Sequence, residues 1–219
     1  MLKKILGASI LAMFCSVSAW AGEISVAAKV GTTGLGADVG YKFNPLLKAR
    51  LGVNYLKLAR SVKVEKINYD MKMKSQGFGL FADFYPFMGS LRLTAGIYKP
   101  NLQFDIDATG SGSYEIQGNT YNAATLGKLT GSVKWDKVAP YLGIGYETGS
   151  FFGFSLPVGL AFDLGAMHIG KPSIDYNATG AAANPYLQND INKERKEVEN
   201  QLGNAKWYPV VSAGVIVRF

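Results

Sequence analysis

The sequence has few of the side chains on which most catalytic and metal sites depend. It contains one cysteine and one histidine in 219 residues, Cys15 and His168. Cys15 lies near the N-terminus, so the chain that follows it has no thiol for a disulfide, a thiolate metal site or a cysteine nucleophile. We therefore expect no catalytic residues, no metal ion and no cofactor, and we do not expect an enzyme.

No apolar run is long enough to cross a membrane as a helix. The run at 5–17 falls short of the roughly 20 residues that a spanning helix needs. It follows two lysines and precedes Ala19-Trp20-Ala21, an order typical of a secretory signal peptide and its cleavage site. We predict a signal peptide over residues 1–21 and a single domain over residues 22–219. A retained membrane anchor is the weaker alternative because the run is short.

The chain is also low in charge and has no cluster of basic residues. Charged residues make up 18% of the sequence, and the formal net charge is +7. The cations are spread singly along the chain, whereas nucleic-acid binding needs a clustered basic face. We predict no nucleic-acid partner and expect a basic envelope protein to meet membrane lipid, lipopolysaccharide phosphates or acidic solutes.

The final segment, residues 207–219, alternates apolar residues with small, polar or charged ones. Successive side chains of a strand point to opposite faces, so only one face of this segment is expected in an apolar environment. A barrel in an outer membrane closes by pairing its last strand with its first. We predict that 207–219 is this closing strand. Its aromatic end, Phe219, resembles the signal that outer-membrane proteins present to the barrel assembly machinery, which makes that machinery an expected partner.

The same alternation recurs along the chain and predicts eight strands. Short turns at 44–45, 86–90 and 148–151 alternate with longer polar connections, as in bacterial outer-membrane barrels. The predicted fold class is all-β, an eight-stranded antiparallel transmembrane β-barrel in the cell outer membrane. Apolar residues at helical spacing between Leu187 and Leu202 predict a short helix in the last extracellular loop.

Several local features complicate this pattern. The parity of the apolar residues changes near Gly77, which predicts a bulge, and again at Pro100. The polar segments 60–68 and 108–127 are predicted to be loops. Aromatic girdles are expected at both water–lipid boundaries. The lower girdle would hold Phe43, Phe84, Tyr146, Phe152 and Phe219, and the outer edge would hold Trp135 and Trp207.

Five short motifs occur in a fixed order along the chain. They are Val30-Gly31-Thr32-Thr33-Gly34-Leu35-Gly36, Ile116-Gln117-Gly118-Asn119-Thr120-Tyr121, Ala139-Pro140-Tyr141-Leu142-Gly143-Ile144-Gly145, Gly170-Lys171-Pro172 and Trp207-Tyr208-Pro209-Val210. Together they resemble the CarO family of carbapenem-susceptibility-associated outer-membrane channels. The resemblance implies an eight-stranded barrel and a role in the uptake of small solutes, basic amino acids among them. It identifies no binding residue.

The strand face opposite the lipid-facing side carries charges of both signs. The candidate lumen-lining residues are Lys29, Asp38, Arg50, Asp83, Arg92, Glu147, Asp163 and Arg218, and Lys42 shares their face. One interpretation is a buried ion-pair network, because desolvated charges persist only when paired and an eight-stranded barrel is about filled by its own side chains. The other is a polar conduit whose charges attract or sort solutes.

Many glycines share this inward face, among them Gly52, Gly79 and Gly145. They either relieve strain and make room for inward tyrosines such as Tyr98 and Tyr141, or leave a narrow water-filled path.

We predict a narrow or gated channel for small polar, amino-acid-like solutes. The alternative is a non-transporting structural or adhesin-type surface barrel that acts through its extracellular loops. A lipid A-modifying enzyme is less expected. His168 has Ser173 and Asp175 nearby in sequence, but their spacing does not align them on one strand face and Pro172 interrupts the register.

Overall fold

A computed structural model of the chain describes residues 22–64, 67–110, 113–149, 157–181, 184–203 and 206–219. The predicted signal peptide at 1–21 and the predicted girdle residue Phe152 lie outside these residues. Among the helices of the described part, none combines the length and the apolar character needed to cross a membrane.

The described residues form twelve strands and two helices. In chain order these are β1 (Glu23–Gly31), β2 (Gly34–Asn44), β3 (Leu47–Val64), β4 (Ile67–Phe84), β5 (Leu91–Gly110), β6 (Ser113–Ile116), β7 (Asn119–Asn122), α1 (Ala123–Leu126), β8 (Leu129–Trp135), β9 (Ala139–Glu147), β10 (Val158–His168), β11 (Ser173–Ala178), α2 (Pro185–Leu202) and β12 (Trp207–Arg218).

Eight of the described strands close into an antiparallel ring. Strands β1 to β5 pair in sequence order, β9 pairs with β5, β10 pairs with β9, and β12 lies between β10 and β1. The chain end completes the seam, because the Phe219 amide donates to the Ile24 carbonyl at 2.8 Å and the Ile24 amide donates to the Phe219 carbonyl at 3.2 Å. The predicted eight-stranded barrel and its closing strand are confirmed.

The outer face of the ring carries a belt of exposed apolar side chains. Val39, Leu51, Leu80, Leu93 and Leu142 are all between 44% and 62% exposed. Soluble monomers rarely expose an apolar surface of this extent, whereas a transmembrane barrel presents an apolar band about 25 Å tall to the lipid.

The aromatic residues are only partly placed as expected. Phe43, Phe84, Tyr146 and Phe219 are exposed near the short-turn end of the barrel. At the other end Trp207 is exposed, but Trp135 is only 8% exposed and packs inside. The placement of Trp135 at the outer edge was wrong, because it pairs with the inward-facing Leu102 and shares its side of the sheet.

One side of the barrel wall is much taller than the other. β3, β4 and β5 have 18, 18 and 20 residues, about twice the 9–11 that a membrane-spanning strand needs. β1 and β2 have 9 and 11 residues and are joined by a two-residue turn. The predicted loop at 60–68 was therefore wrong, since most of it extends β3 and β4 beyond the apolar belt.

The two parity changes do not mark irregular backbone. β4 pairs with β3 and β5 in one continuous register through Gly77 and Pro100, so the predicted bulge and reset were both wrong. From Met73 to Asp83 the odd-numbered residues of β4 are the less exposed ones, and this alternation continues unchanged through Gly77. Above the belt the inner face becomes apolar, as at Met73, while the outer face carries Lys72 and Lys74 in water. The parity change marks the height at which hydrocarbon gives way to water outside the barrel.

The tall side supports a folded extracellular head. β8 and β11 continue the wall beside β5, and the β6–β7 hairpin, α1 and α2 pack against it. The predicted loop at 108–127 was wrong, because it contains this hairpin and α1. The predicted helix is confirmed as α2, which begins after Asn184, whose Oδ1 accepts hydrogen bonds from the amides of Tyr186 and Leu187.

Candidate functional site: the barrel interior

The strand register brings the inward charges into one layer near the middle of the barrel. Several of these charged side chains lie across from a glycine on a neighbouring strand. Arg50 pairs with Gly40, and Arg92 and Asp163 both pair with Gly145. Because glycine has no side chain, the charged groups can extend across the lumen and meet one another.

Five residues from five strands form an alternating chain of charges. Asp38 accepts from Arg50 Nη1 at 2.6 Å, and Asp83 accepts from Arg50 Nε at 3.0 Å. Asp83 also accepts from Arg92 Nη1 at 3.0 Å, and Asp163 accepts from Arg92 Nη2 at 2.7 Å. Asp83 is fully buried and Arg92 is 1% exposed. Desolvated charges of this kind are stable only with complete partners, which the two guanidinium groups supply to Asp83.

A second group of charges lies on the side of the short turns. Glu147 accepts from Lys48 Nζ at 3.1 Å and from Arg218 Nη2 at 3.4 Å, and its Oε1 lies 3.3 Å from Arg92 Nε. Lys42 lies over the Tyr85 ring, 4.9 Å from its centroid. At the Asp38 end of the alternating chain of charges, Lys29 forms an ion pair with Asp38.

All eight candidate residues therefore lie in the interior and belong to this network. One member, Lys48, was not identified from the sequence. Lys48 is 4% exposed and lies two residues before Arg50 on the same strand face. Extending the alternation of the third strand by one period toward its turn would have identified it.

The inward glycines are filled by their neighbours. A side chain added at Gly52 would meet the Asp38 carboxylate, and one at Gly145 would meet the Arg92 guanidinium. At Gly79 it would meet the rings of Phe81 and Tyr98. The space left by these glycines holds charged and aromatic side chains, and it does not form an open path.

Above the charged layer lies an aromatic plug, which we define as Phe81, Tyr98 and Tyr141. Phe81 packs edge-on against Tyr141 at 5.2 Å, and Arg50 stacks on the Phe81 ring at 4.8 Å. The plug belongs to a buried apolar cluster that also contains Trp135 and is contacted by Leu202 at the end of α2. This cluster separates the charged layer from the extracellular side.

Three small spaces, each lined in part by charged residues, lie in a row from the short-turn end to the plug. We call this row the file. A vestibule of about 260 Å³ is lined by Lys48 and Glu147 among others. A cavity of about 10 Å³ shares these two residues and also touches Arg50 and Asp163. A cavity of about 20 Å³ touches Arg50, Asp163 and the plug. Each inner cavity has room for about one water molecule, so no solute passes without movement of side chains.

His168 does not form a catalytic arrangement in the described residues. Its ring packs edge-on against Trp207 at 5.0 Å, at the rim of the barrel. Ser173 and Asp175 are on β11, which pairs with β8. Throughout the described ranges, no cluster of three or more histidine, cysteine, aspartate or glutamate side chains could hold a metal ion.

The solved structures that are similar to this chain include two crystal structures of outer-membrane proteins. The crystal structure of Acinetobacter baumannii CarO2 superimposes with a TM-score of 0.63 at 25% identity, covering 90% of this chain and 98% of that chain. The crystal structure of Acinetobacter baumannii CarO gives a TM-score of 0.61 at 25% identity, covering 89% and 97%. No family model matches the chain, and no curated protein sequence matches it.

Proposed function

We propose that this chain, a CarO-type outer-membrane barrel, is a narrow, gated channel for small polar solutes that is shut in this structure. The observation that carries the proposal is the file of polar spaces that runs from the vestibule through the charged layer to the aromatic plug. Because neighbouring spaces share lining residues, movement of a few side chains would join them along the barrel axis.

Two buried polar atoms in this file lack a hydrogen-bond partner among the described residues. They are Asp38 Oδ1 and Arg92 Nε, and both residues line the smaller inner cavity, although Arg92 Nε lies 3.3 Å from the Glu147 carboxylate. A buried polar group without a hydrogen bond is costly, so Asp38 Oδ1 favours a water molecule or a donor group of a solute.

The charge balance of the file favours zwitterionic solutes over ions of one sign. The five cations are Lys29, Lys48, Arg50, Arg92 and Arg218, and the four anions are Asp38, Asp83, Glu147 and Asp163. Rings of one sign select counter-ions, whereas alternating signs attract both ends of a molecule that carries both charges. An amino acid as small as glycine fits this description.

The test is permeation through the refolded protein in planar bilayers and in glycine-loaded liposomes. We expect small, discrete currents and slow glycine exchange in the wild type. Tyr98→Ala should increase both, because Tyr98 is 4% exposed within the plug. Leu142→Ala is the matched control, since Leu142 faces outward and is 62% exposed. A wild type that passes neither ions nor glycine contradicts the channel, and so does a wide pore that is insensitive to Asp163→Asn.

The second candidate is a surface barrel that acts through its head without transport. The head has its own core, in which Leu187 is fully buried and Ile191 is 1% exposed. Asp190 accepts hydrogen bonds from Asn119 and Tyr121 of the hairpin, which fixes α2 against it. Two results together would favour this candidate. The wild type would show no conductance, and deletion of residues 177–203 would abolish cell-surface or ligand binding.

A further inference from the structure

The outer face of the tall wall carries a row of cationic and amide side chains just above the apolar belt. Lys57 on β3 and Lys74 on β4 are direct cross-strand partners. Lys74 is paired with Gln103 on β5, and Gln103 is paired with Lys134 on β8. We call Lys57, Lys74, Gln103 and Lys134 the lysine row.

The two central lysines of this row are not held by a hydrogen bond or an ion pair in the described part of the chain. Like charges directly opposite on neighbouring strands destabilise a sheet. In the described part of the chain, neither Lys57 nor Lys74 makes a hydrogen bond or an ion pair, and both are exposed. The nearest outward carboxylates are engaged elsewhere. Asp105 accepts from Gln103 and Ser132.

Two other carboxylates near the row are also occupied. Asp107 lies 3.7 Å from Lys72 and 3.3 Å from Lys128, and Asp136 lies 3.2 Å from Lys134. Asp105 accepts hydrogen bonds only from neutral groups, so its charge acts on Lys74 and partly compensates the Lys57–Lys74 pair. The remaining positive charge would be stabilised by an external anion.

An apolar surface continues directly below the row. Val53, Tyr55 and Phe78 are 58%, 52% and 60% exposed. Tyr55 precedes Lys57 by two residues, about 7 Å along the strand toward the belt. A surface groove of about 590 Å³ is lined by these three residues together with Lys99 and Lys134. The groove reaches the lysine row at Lys134, beside Asp136, and extends from there to the lipid-facing belt.

We propose that the lysine row and this groove bind a phosphorylated glycolipid of the outer leaflet. Its phosphate would lie between the Lys57 and Lys74 ammonium groups, and its acyl chains would lie along Val53, Tyr55 and Phe78. The long connections of such barrels face the outside of the cell, which places the row at the height of the outer-leaflet headgroups. A free anion would use the lysines but would gain nothing from the apolar half of the groove.

The site is independent of whether the barrel conducts. It is confined to the tall wall, because β1 and β2 end near this height in the turn at Thr32 and Thr33.

The experiment measures binding of bisphosphorylated lipid A to the detergent-solubilised protein by native mass spectrometry. The same lipid A with both phosphates removed, and inorganic phosphate alone, are the comparison ligands. We expect the wild type to prefer the bisphosphorylated lipid. The Lys57→Gln/Lys74→Gln variant should bind it about 25-fold more weakly, because each lysine near an anionic surface contributes about fivefold. Binding of the dephosphorylated lipid should be unchanged.

Lys63→Gln is the matched control. Lys63 is exposed on the same face of β3, six residues or about 20 Å farther from the belt, and its loss should leave lipid binding unchanged. The single variants Lys57→Gln and Lys74→Gln should each show about a fivefold loss. Equal binding by the double variant and the wild type overturns the proposal. Full displacement of the lipid by inorganic phosphate overturns the assignment to a lipid.

Discussion

Substitution of Asp83 by asparagine is the most direct test of the buried charge network. Asp83 accepts from Arg50, Arg92 and the Thr94 hydroxyl, at 3.0, 3.0 and 2.7 Å. The asparagine is nearly the same size, so it creates no cavity. It removes the negative charge between two guanidinium groups that are 4% and 1% exposed.

The expected loss of unfolding free energy is about 3–5 kcal/mol. This is the cost of removing one partner from a buried pair, which leaves the other charge uncompensated. Arg50 retains Asp38 at 2.6 Å and Arg92 retains Asp163 at 2.7 Å, which favours the lower end of the range. Because Asp83 is fully desolvated, solvent screening does not reduce this loss of unfolding free energy.

The assay is urea-induced unfolding of the refolded protein in lipid vesicles, followed by tryptophan fluorescence and by heat-modifiable migration. Asp136→Asn is the matched control. Asp136 pairs with Lys134 at 3.2 Å, but both side chains are more than 40% exposed, so its loss should cost less than about 1 kcal/mol. If Asp83→Asn destabilises the protein no more than Asp136→Asn does, the buried pairs do not stabilise the barrel.

Three further predictions concern the head, the lumen and the seam. Hydrogen bonds from Tyr121 and Asn119 lower the pKa of Asp190, so its contribution is complete above the ordinary aspartate pKa and is lost as the pH falls through the lowered value. Protection of α2 from hydrogen exchange, corrected for the intrinsic exchange rate at each pH, should therefore fall below about pH 4, and Asp190→Asn should remove this pH dependence. Gly96→Ala should cost about 1–3 kcal/mol in urea unfolding because the new methyl group meets the Leu80 carbonyl, whereas Gly149→Ala meets nothing and should be neutral. Deletion of Phe219 removes both backbone bonds to Ile24 and should reduce the folded fraction in isolated outer membranes; normal assembly would contradict this.

The strands within the belt could be predicted from the sequence because their two faces meet opposite environments. The same rule fails above the belt. There the outer face of β4 meets water, and the inner face packs against the cluster around Trp135, so the apolar parity reverses along a regular strand. A reversal shared by paired strands, near Gly77 and Pro100, indicates the membrane boundary. The sequence of a single strand cannot distinguish a membrane boundary from a bulge.

The head could not be predicted because its strands are held by packing that spans long stretches of sequence. The β6–β7 hairpin has four residues in each strand, too few for a clear alternation. It is stabilised by contacts with α2, about 70 residues later, where Asp190 accepts from Asn119 and Tyr121. The helix itself was predictable because its apolar spacing and its cap are local.

The residues that belong to the interior network could be predicted from parity. Whether their side chains fill the lumen could not. Parity assigns Arg92 and Gly145 to the lumen, yet only the register shows that they are direct partners. That pairing lets the guanidinium fill the space over the glycine. A glycine-rich inner face therefore has two outcomes, an open path or a filled one, and the length of the side chains opposite the glycines decides between them.

The proposed channel can open more easily at the aromatic plug than at the charged layer. Separating Asp83 from either guanidinium group costs about 3–5 kcal/mol, which leaves such a state at well below 1%. Moving Tyr98 out of its cluster exposes one aromatic side chain, at about 1.5–3 kcal/mol, and breaks no ion pair. The charges of a zwitterion would replace the partner of each ion pair that it separates, which lowers the cost of moving these side chains apart. The gate of the proposed channel is therefore the plug, and the charged layer selects what passes.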